Sequence, residues 1–409
     1  MARSLAKDSI PAGWKYDLLD NFATRCSGHT PSKSFPEYWD GGIKWISLSD
    51  SYRLDQGYVY ETDKEISEAG IANSSAELHP VETVVLSRDA GIGKSGVMAV
   101  PMAVSQHFIA WKCDNTEKLN SWFLYNWLQL NKAEFERQAV GSTIKTIGLP
   151  YFKKLKIAVP PYPEQKKIAQ ILSTWDKAIT TTEQLLANSQ QQKKALMQQL
   201  LTGRKRLLDK NGVRFSGEWR WLKACELFKT ISRKNNSETE ELLAVTQDQG
   251  VLPRSMLERR VVMPDGSTQG YKLVVPGNFI ISLRSFQGGL EYSSYRGLVS
   301  PAYTALEPIR LIDDEFYKQY YKSYDFIGHL AVAVIGIRDG KQISYEDFSF
   351  LKLPYPSLEE QQKIAAVLST ADQEISALQQ KLDVLKQEKK ALMQQLLTGK
   401  RRVKVEEAA

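Results

Sequence analysis

Lys193-Lys194-Ala195-Leu196-Met197-Gln198-Gln199-Leu200-Leu201-Thr202-Gly203 returns letter for letter as Lys389 to Gly399. Lys389 stands 196 residues after Lys193, and the same offset aligns Glu164-Gln165 with Glu360-Gln361 and Leu172-Ser173-Thr174 with Leu368-Ser369-Thr370. The register holds without a gap from 164 to 203. Composition alone does not produce so long an identical run. The chain is therefore a tandem duplication of a unit of about 200 residues, too long for a solenoid repeat.

Each repeated segment reads as a helix. In the second copy, apolar residues fall at Ile364, Leu368, Ala371, Ile375, Leu378, Leu382, Leu385, Leu392 and Leu396, with Lys389 as the one interruption. The alternation of four- and three-residue steps is the seam of a coiled coil. The first copy keeps it at Ile168, Leu172, Trp175, Ile179, Leu186, Leu196 and Leu200, softened by Thr182, Ser189 and Lys193. Ser357 with Glu360 predicts a capping box, and Pro163 suits a first helical turn. Gly203 and Gly399 stand where left-handed C-terminal caps belong, and Arg204-Lys205-Arg206 and Lys400-Arg401-Arg402 follow them. Such a helix of about 39 residues spans roughly 58 Å. Two of them in one chain hide their seams by packing together; packing of each on its own globular half, or on another molecule, is the alternative.

The segments before the helices, about 12–150 and 213–350, have a different character. Short strand-like runs appear at Ile43–Leu48, Thr83–Ser87 and Gly96–Val100, and again at Tyr271–Val275 and Asn278–Leu283. Gly and Pro punctuate them. Leu119–Phe135 and Asp314–Tyr324 read as helical. Each arm is expected to be an α+β domain with a curved sheet. The arms share layout more than letters: Trp14 with Phe22 answers Trp219 with Phe228, and Val84–Arg88 answers Phe279–Arg284. A strand after Gly148 into Pro160-Pro161 answers Phe348–Pro354. Alike helices and diverged arms suit two related but distinct recognition tasks.

Composition excludes several classes. The 409 residues allow two or three domains. A hydrophobic share of 42% and a charged share of 25% are those of a folded protein. The net charge of +7 permits a polyanion partner without demanding one. No apolar run approaches the ~20 residues of a membrane span, and the early charges Arg3, Lys7 and Asp8 argue against a signal peptide. Cys26, Cys113 and Cys225 lie far apart, as do His29, His79, His107 and His329. Spacing thus supports neither a disulfide scaffold nor a metal site, and a reducing cytoplasm is the expected location.

Three motifs fall short of catalysis. Arg88-Asp89-Ala90-Gly91-Ile92-Gly93-Lys94-Ser95 imitates a phosphate loop, but Arg88 stands where the first Gly is needed and a strand is expected to follow. Gly91 and Gly93 read better as a hairpin turn. Val159-Pro160-Pro161-Tyr162 imitates the loop of amino-methylating DNA enzymes, but Val159 cannot hold an amino group; the two prolines read as a rigid bend. Pro264-Asp265 lacks the Glu-x-Lys of a nuclease at usable spacing. No Gly-x-Ser-x-Gly nucleophile turn is present. The chain reads as a non-catalytic scaffold.

The order of arm, proline bend with Glu-Gln, long helix and terminal Thr-Gly, given twice, resembles the DNA specificity subunit of type I restriction–modification systems. The entries Pro160–Ile168 and Pro354–Ile364 carry the resemblance, with Trp45-Ile46-Ser47, Gly141-Ser142-Thr143, Gly277–Ser282 and Gly297–Tyr303 in the arms. The second entry departs in one place, reading Leu353-Pro354-Tyr355-Pro356. The resemblance implies an α+β fold: two globular α/β target recognition domains separated by two long antiparallel coiled-coil helices, in a pseudo-twofold tandem repeat. The expected domains are 1–155 and 206–352 for recognition, 156–205 and 353–402 for the helices, and 403–409 for a tail. Each arm would read one half of a bipartite, asymmetric double-stranded DNA site, with helix length setting the half-site spacing. Two modification subunits, holding S-adenosylmethionine, would dock and methylate adenine N6. Two restriction subunits, using ATP and Mg, would cut unmethylated DNA. No cofactor or metal is expected in this chain.

Base reading needs bidentate donors and amides in the major groove. Loop residues with those groups are Lys44, Ser49, Arg53, Arg88, Lys94, Gln106, Ser142, Thr143 and Lys145 in the first arm. The second arm offers Gln247, Arg254, Arg284, Ser285, Gln287, Tyr292, Arg338, Lys341 and Gln342. Arg88 and Arg284 rank first because both follow a corresponding strand. Ser142 and Thr143 suit phosphate better than base. The helix faces bearing Gln191, Gln192, Gln198, Gln199, Gln387, Gln394 and Gln395 are the candidate docking surface for modification subunits. Competing readings are a stand-alone two-armed DNA-binding regulator, a methyltransferase with a degenerate site, and a structural coiled-coil protein. No helix-turn-helix supports the first.

Overall fold

The computed structural model describes residues 10–405 except 90, 116, 142–144, 234–239, 248, 258–267, 284 and 334–342. Two compact units divide the chain. One comprises Met1–Thr182 with Lys381–Ala409, the other Glu183–Gln380. Each unit thus holds one arm, the start of one long helix and the end of the other.

The long helices run Tyr162–Leu200 and Leu358–Leu396. Within the first unit, Lys389 Nζ donates to Asp176 and Arg402 donates to Glu164. Partner numbers that fall on one strand of the pair as they rise on the other make the pairing antiparallel. Within the second unit the same holds for Lys193 with Asp372, at 2.6 Å, and Arg206 with Glu360. The polar interruptions of the seam have partners here. Lys193 and Lys389 carry the two ion pairs, Ser189 Oγ donates to Glu374 Oε1 at 3.0 Å, and Thr182 Oγ1 donates back to the Ala178 carbonyl at 2.8 Å. Ile168, Leu172, Leu200, Ile364, Leu368 and Leu396 are buried at the helix ends, where the arms cover them.

The helix boundaries follow the sequence in part. Gly203 and Gly399 adopt the left-handed conformation at φ +71° and +70°. Ser357 Oγ accepts from the Glu360 amide at 3.3 Å, the forward half of the expected capping box. The Glu360 carboxylate instead serves Arg206 and Trp219, because a buried charge is better held by a cation than by one amide.

The main sheets of the two arms share the order of four strands. In the first unit Lys15–Leu18 pairs antiparallel with Lys156–Val159. Next comes a five-stranded sheet in the order Thr24–Ser27, Phe108–Lys112, Val84–Ser87, Ser95–Met98, Tyr58–Val59. Trp39–Ile46 anchors a further three-stranded sheet. In the second unit Arg220–Lys223 pairs with Lys352–Tyr355. A four-stranded sheet follows in the order Phe228–Ile231, Thr304–Pro308, Phe279–Ile281, Glu291–Tyr292. The central strands are buried along their whole length, as their unbroken apolar runs dictate.

The bounds of four expected segments are refined. Gly148 leads first into a helical turn, Leu149–Lys153, and the strand begins only at Lys156. Pro150 favours that turn, needing no amide partner there, and Phe152 drops into the core. Likewise Tyr345–Ser349, capped by Ser344, precedes the strand of the second arm. The stretch Leu119–Phe135 is two helices, Ser121–Leu130 and Lys132–Gln138, broken at Asn131. Asp314–Tyr324 ends its first helix at Tyr321 and starts another at Tyr324.

Candidate nucleic-acid interface

The joints between arm and helix repeat their central contacts; Trp219 Nε1 also donates to Glu360 at 3.0 Å, a bond that Trp14 Nε1 does not make to Glu164. Glu164 and Glu360 are almost wholly buried. Arg402 grips Glu164 with two bonds of 2.7 Å, and Arg206 grips Glu360 with bonds of 2.5 and 2.7 Å. The two arginines are themselves one repeat apart. Each guanidinium also lies over an indole, Trp14 or Trp219. The neighbouring glutamines are buried too. Gln165 accepts from the Asn120 amide and donates to the Pro160 and Lys118 carbonyls. Gln361 accepts from the Asp313 amide and donates to the Pro356 carbonyl. A Glu-Gln pair at the helix start therefore fastens the arm on one side and the returning chain on the other. Sequence reasoning treated Arg206 and Arg402 only as basic residues after a cap; the shared offset with the glutamates was the available signal.

In the first arm, several candidates meet at one end of the inner strands of the five-stranded sheet. Val84–Ser87 and Ser95–Met98 form the expected hairpin, with Gly91 and Gly93 at φ +75° and +79° in its turn. Arg88 leaves the first strand and donates from Nε to the Ile147 carbonyl at 3.1 Å and from Nη1 to the Gln106 carbonyl at 3.4 Å. It braces the loops that carry Gln106 and Lys145, both exposed. Thr30 Oγ1 donates to Gln106 Oε1, and Thr146 and His107 both bond Asp89. Across the turn, Lys94 Nζ reaches the Ser51 carbonyl at 3.0 Å, which joins the turn to the segment bearing Ser49 and Arg53.

That segment is built on Asp50, which is fully buried. Its carboxylate accepts from the Ser47 amide and hydroxyl and from the Asp63 amide. Ser49 is exposed and shares a 2.7 Å bond with Ser47. Arg53 pairs with Asp63 at 2.8 Å and lies over the Tyr52 ring. The Arg53 and Tyr52 hydrogen bonds hold the Asp63 carboxyl below the usual carboxylate range. Lys44 is on Trp39–Ile46 and pairs with Glu61. Ser142 and Thr143 lie outside the described residues.

The second arm gathers fewer of its candidates. Ser285 and Gln287 share the short helix Ser285–Gly288; Ser285 is buried and accepts from the Ser282 amide, while Gln287 is exposed. Gln247 is exposed beside Gly288, and Lys322 Nζ ties the two loops by donating to the Gln247 and Gly288 carbonyls and to buried Glu291. Tyr292 donates to Asp314 at 3.2 Å, and burial together with that carboxylate pushes its hydroxyl up to about 12. Arg254 follows Gly250–Pro253, with its main chain bonded to Leu242 and its Nε buried. Arg284, Arg338, Lys341 and Gln342 lie outside the described residues.

On the long helices, Gln191, Gln192, Gln198, Gln199, Gln387, Gln394 and Gln395 are all exposed. The main-chain carbonyls of Gln199 and Gln395 accept from the amides of Lys205 and Arg401, closing both helix ends alike. No helix among the described residues is long and apolar enough to cross a membrane.

Two α+β arms on paired helices, each fastened by an arginine–glutamate clamp, define a duplicated two-armed fold. The family described as the type I restriction modification DNA specificity domain matches residues 11–188 and 254–387, and the chain belongs to it. It is 25% identical over 422 residues to the type I restriction enzyme MjaVIII specificity subunit of Methanocaldococcus jannaschii, covering 97% of this chain and 94% of that protein. Similarity to the MjaIX specificity subunit of the same organism is 26% over 171 residues, covering 42% of this chain and 39% of that one. The EcoR124I/EcoR124II specificity subunit of Escherichia coli is 28% identical over 170 residues, 40% of each chain. Among solved structures, the type I restriction–modification S subunit from M. genitalium superposes with a TM-score of 0.55 at 15% identity, covering 96% of this chain and 97% of that one. A chain from a study of complex assembly in the type I system gives 0.58 at 17%, covering 96% and 99%. The shared fold spans both arms and both helices. Family membership favours the specificity-subunit reading over a stand-alone regulator.

Proposed function

We propose that each arm reads one half of a bipartite, asymmetric site in double-stranded DNA, and that this chain does no chemistry itself. The observation that carries this reading is the contrast between joints and arms. The two-bond arginine clamps on Glu164 and Glu360 repeat, while the arms keep the order of four strands and differ in surface. Such a molecule keeps one assembly geometry and varies what is read. In the first arm, Ser49, Arg53, Lys94, Gln106 and Lys145 supply donors and amides for base edges and phosphates, and Arg88 braces the loops that carry Gln106 and Lys145. In the second, Gln247, Gln287 and Tyr292 do so, and buried Ser285 supports the turn that carries Gln287. The glutamine-bearing faces of the helices dock two modification subunits, which carry S-adenosylmethionine and methylate adenine N6. Two restriction subunits, driven by ATP with Mg, complete a cytoplasmic complex that cleaves unmethylated DNA.

Long-read modification mapping of DNA from cells with and without this gene tests the reading. A two-part motif with N6-methyladenine in both halves is expected to vanish on deletion. Identical maps, with no modification subunit co-purifying with the chain, overturn it.

A further inference from the structure

The histidines and cysteines are scattered in sequence, yet the first arm brings three donor groups together. The ligand atoms of Cys26, Glu77 and His79 all lie within 4.8 Å of one another. Cys26 is on Thr24–Ser27, the outer strand of the five-stranded sheet. His79 is held from both sides, its amide donating to the Met102 carbonyl at 2.8 Å and its carbonyl accepting from the Met102 amide at 3.1 Å. Its side chain is fully buried, and neither Nδ1 nor Nε2 has a hydrogen-bond partner among the described residues. A buried imidazole without a partner is costly unless something else takes its lone pair.

We propose that Cys26, Glu77 and His79 bind one divalent cation of the zinc class, with the fourth position open to water. Thiolate, imidazole and carboxylate together are the donors of a borderline-soft metal, and calcium or magnesium would call for oxygen donors only. A tetrahedral ion needs its donor atoms about 3.3–3.6 Å apart, from bonds of about 2.0–2.3 Å. Side-chain rotation closes that gap, most freely at the exposed Glu77, while the backbones of Cys26 and His79 are held by a strand and by the bridge to Met102. Burial, with Lys112 nearby, pushes the imidazole down to about 4, so it is in the neutral form that ligates. Burial raises the Cys26 thiol; binding therefore exchanges its proton for the metal, forming one Zn–S bond and releasing one H⁺. Lys112 Nζ donates to Glu77 Oε2 at 3.2 Å. One carboxylate oxygen then serves the ammonium and the other the metal, so Lys112 orients the ligand. The ion would staple an edge strand to the segment that enters the central strand Val84–Ser87.

The test uses the full chain carrying Cys113→Ser and Cys225→Ser, leaving Cys26 as the one thiol. Metal-free protein is titrated with Zn²⁺ against a chromophoric chelator, and separately with Co²⁺. One equivalent is expected per chain, with a near-ultraviolet thiolate-to-cobalt band. Adding C26S or H79Q is expected to weaken Zn²⁺ binding at least tenfold and, for C26S, to abolish the band. Absence of competition with the chelator, cobalt binding without a thiolate band, or unchanged affinity in C26S would each overturn the proposal. Thermal midpoints of the metal-free variants, compared with the metal-free parent, separate lost ligation from lost folding. The outcome is independent of the DNA-reading function.

Discussion

Arg206→Ala removes the cation from a carboxylate that has almost no access to water. Glu360 is 1% exposed, and Arg206 supplies two of its hydrogen bonds, at 2.5 and 2.7 Å. Trp219 Nε1, at 3.0 Å, is left to share the charge alone. Stripping one partner from a buried ion pair costs about 3–5 kcal/mol. The surviving indole bond and the 19% exposure of the arginine side chain put this case near the lower end, about 3 kcal/mol. Arg206→Ala with Glu360→Gln buries no charge, so the pair is expected to lose less than the single variant, about 1–2 kcal/mol. Lys193→Ala is the contrast: its partner Asp372 is 45% exposed, and the loss is expected to stay under about 1 kcal/mol. Because the chain has two units, global melting is not two-state. Hydrogen exchange of peptides covering 358–368 reads the opening free energy where the clamp acts. A loss in Arg206→Ala below about 1 kcal/mol, or a double variant as weak as the single one, would refute the buried-charge argument.

Gly203 and Gly399 are the same letter of the repeat but not the same environment. A methyl at Gly399 would stand 2.2 Å from Pro11 Cγ, whereas at Gly203 its nearest neighbour is the Trp219 ring at 3.1 Å. Both substitutions to Ala strain a positive φ, at about 1 kcal/mol, and Gly399→Ala is expected to be the more destabilising by differential scanning calorimetry. Asp314 has its carboxyl raised, by burial first and then by Asp313 and Glu315, against the lowering effect of the Tyr292 bond. A raised acid contributes stability that is present below its unfolded value and lost as pH rises through the folded one. Asp314→Asn should therefore gain on the parent as pH rises from about 3 to 7; urea unfolding that shows a constant difference would contradict this. Lys145→Ala, at an exposed loop position, is expected to weaken DNA binding by the assembled complex alike on cognate and random duplexes. It should reduce the slope of log K against log salt by about 0.9. A change in the preferred sequence would make Lys145 a base reader instead.

The repeat and the heptad seam were legible because both are periodicities, and a periodicity survives without knowing any long-range partner. The seam's polar members were legible only as interruptions. Lys389 meets Asp176 and Lys193 meets Asp372 because the helices pair antiparallel in each unit, and no local spacing states that register. The clamps illustrate the same limit. Glu164 and Glu360, like Arg206 and Arg402, stand one repeat apart in the sequence. Yet each arginine holds the glutamate of the other repeat, a pairing that only the fold makes. At the arm edges the difficulty is different in kind. Arg88 is a donor-rich residue after a strand, which is what a base-reading position looks like in one dimension. In three dimensions its Nε and Nη1 are directed at the carbonyls of Ile147 and Gln106. On the proposed DNA-reading function, a guanidinium that organises loops makes their tips, Gln106 and Lys145, the better-placed contacts. On that reading, specificity in such an arm depends on residues that touch the nucleic acid and on residues that hold those residues still. Composition cannot separate the two, because both tasks select the same hydrogen-bonding side chains.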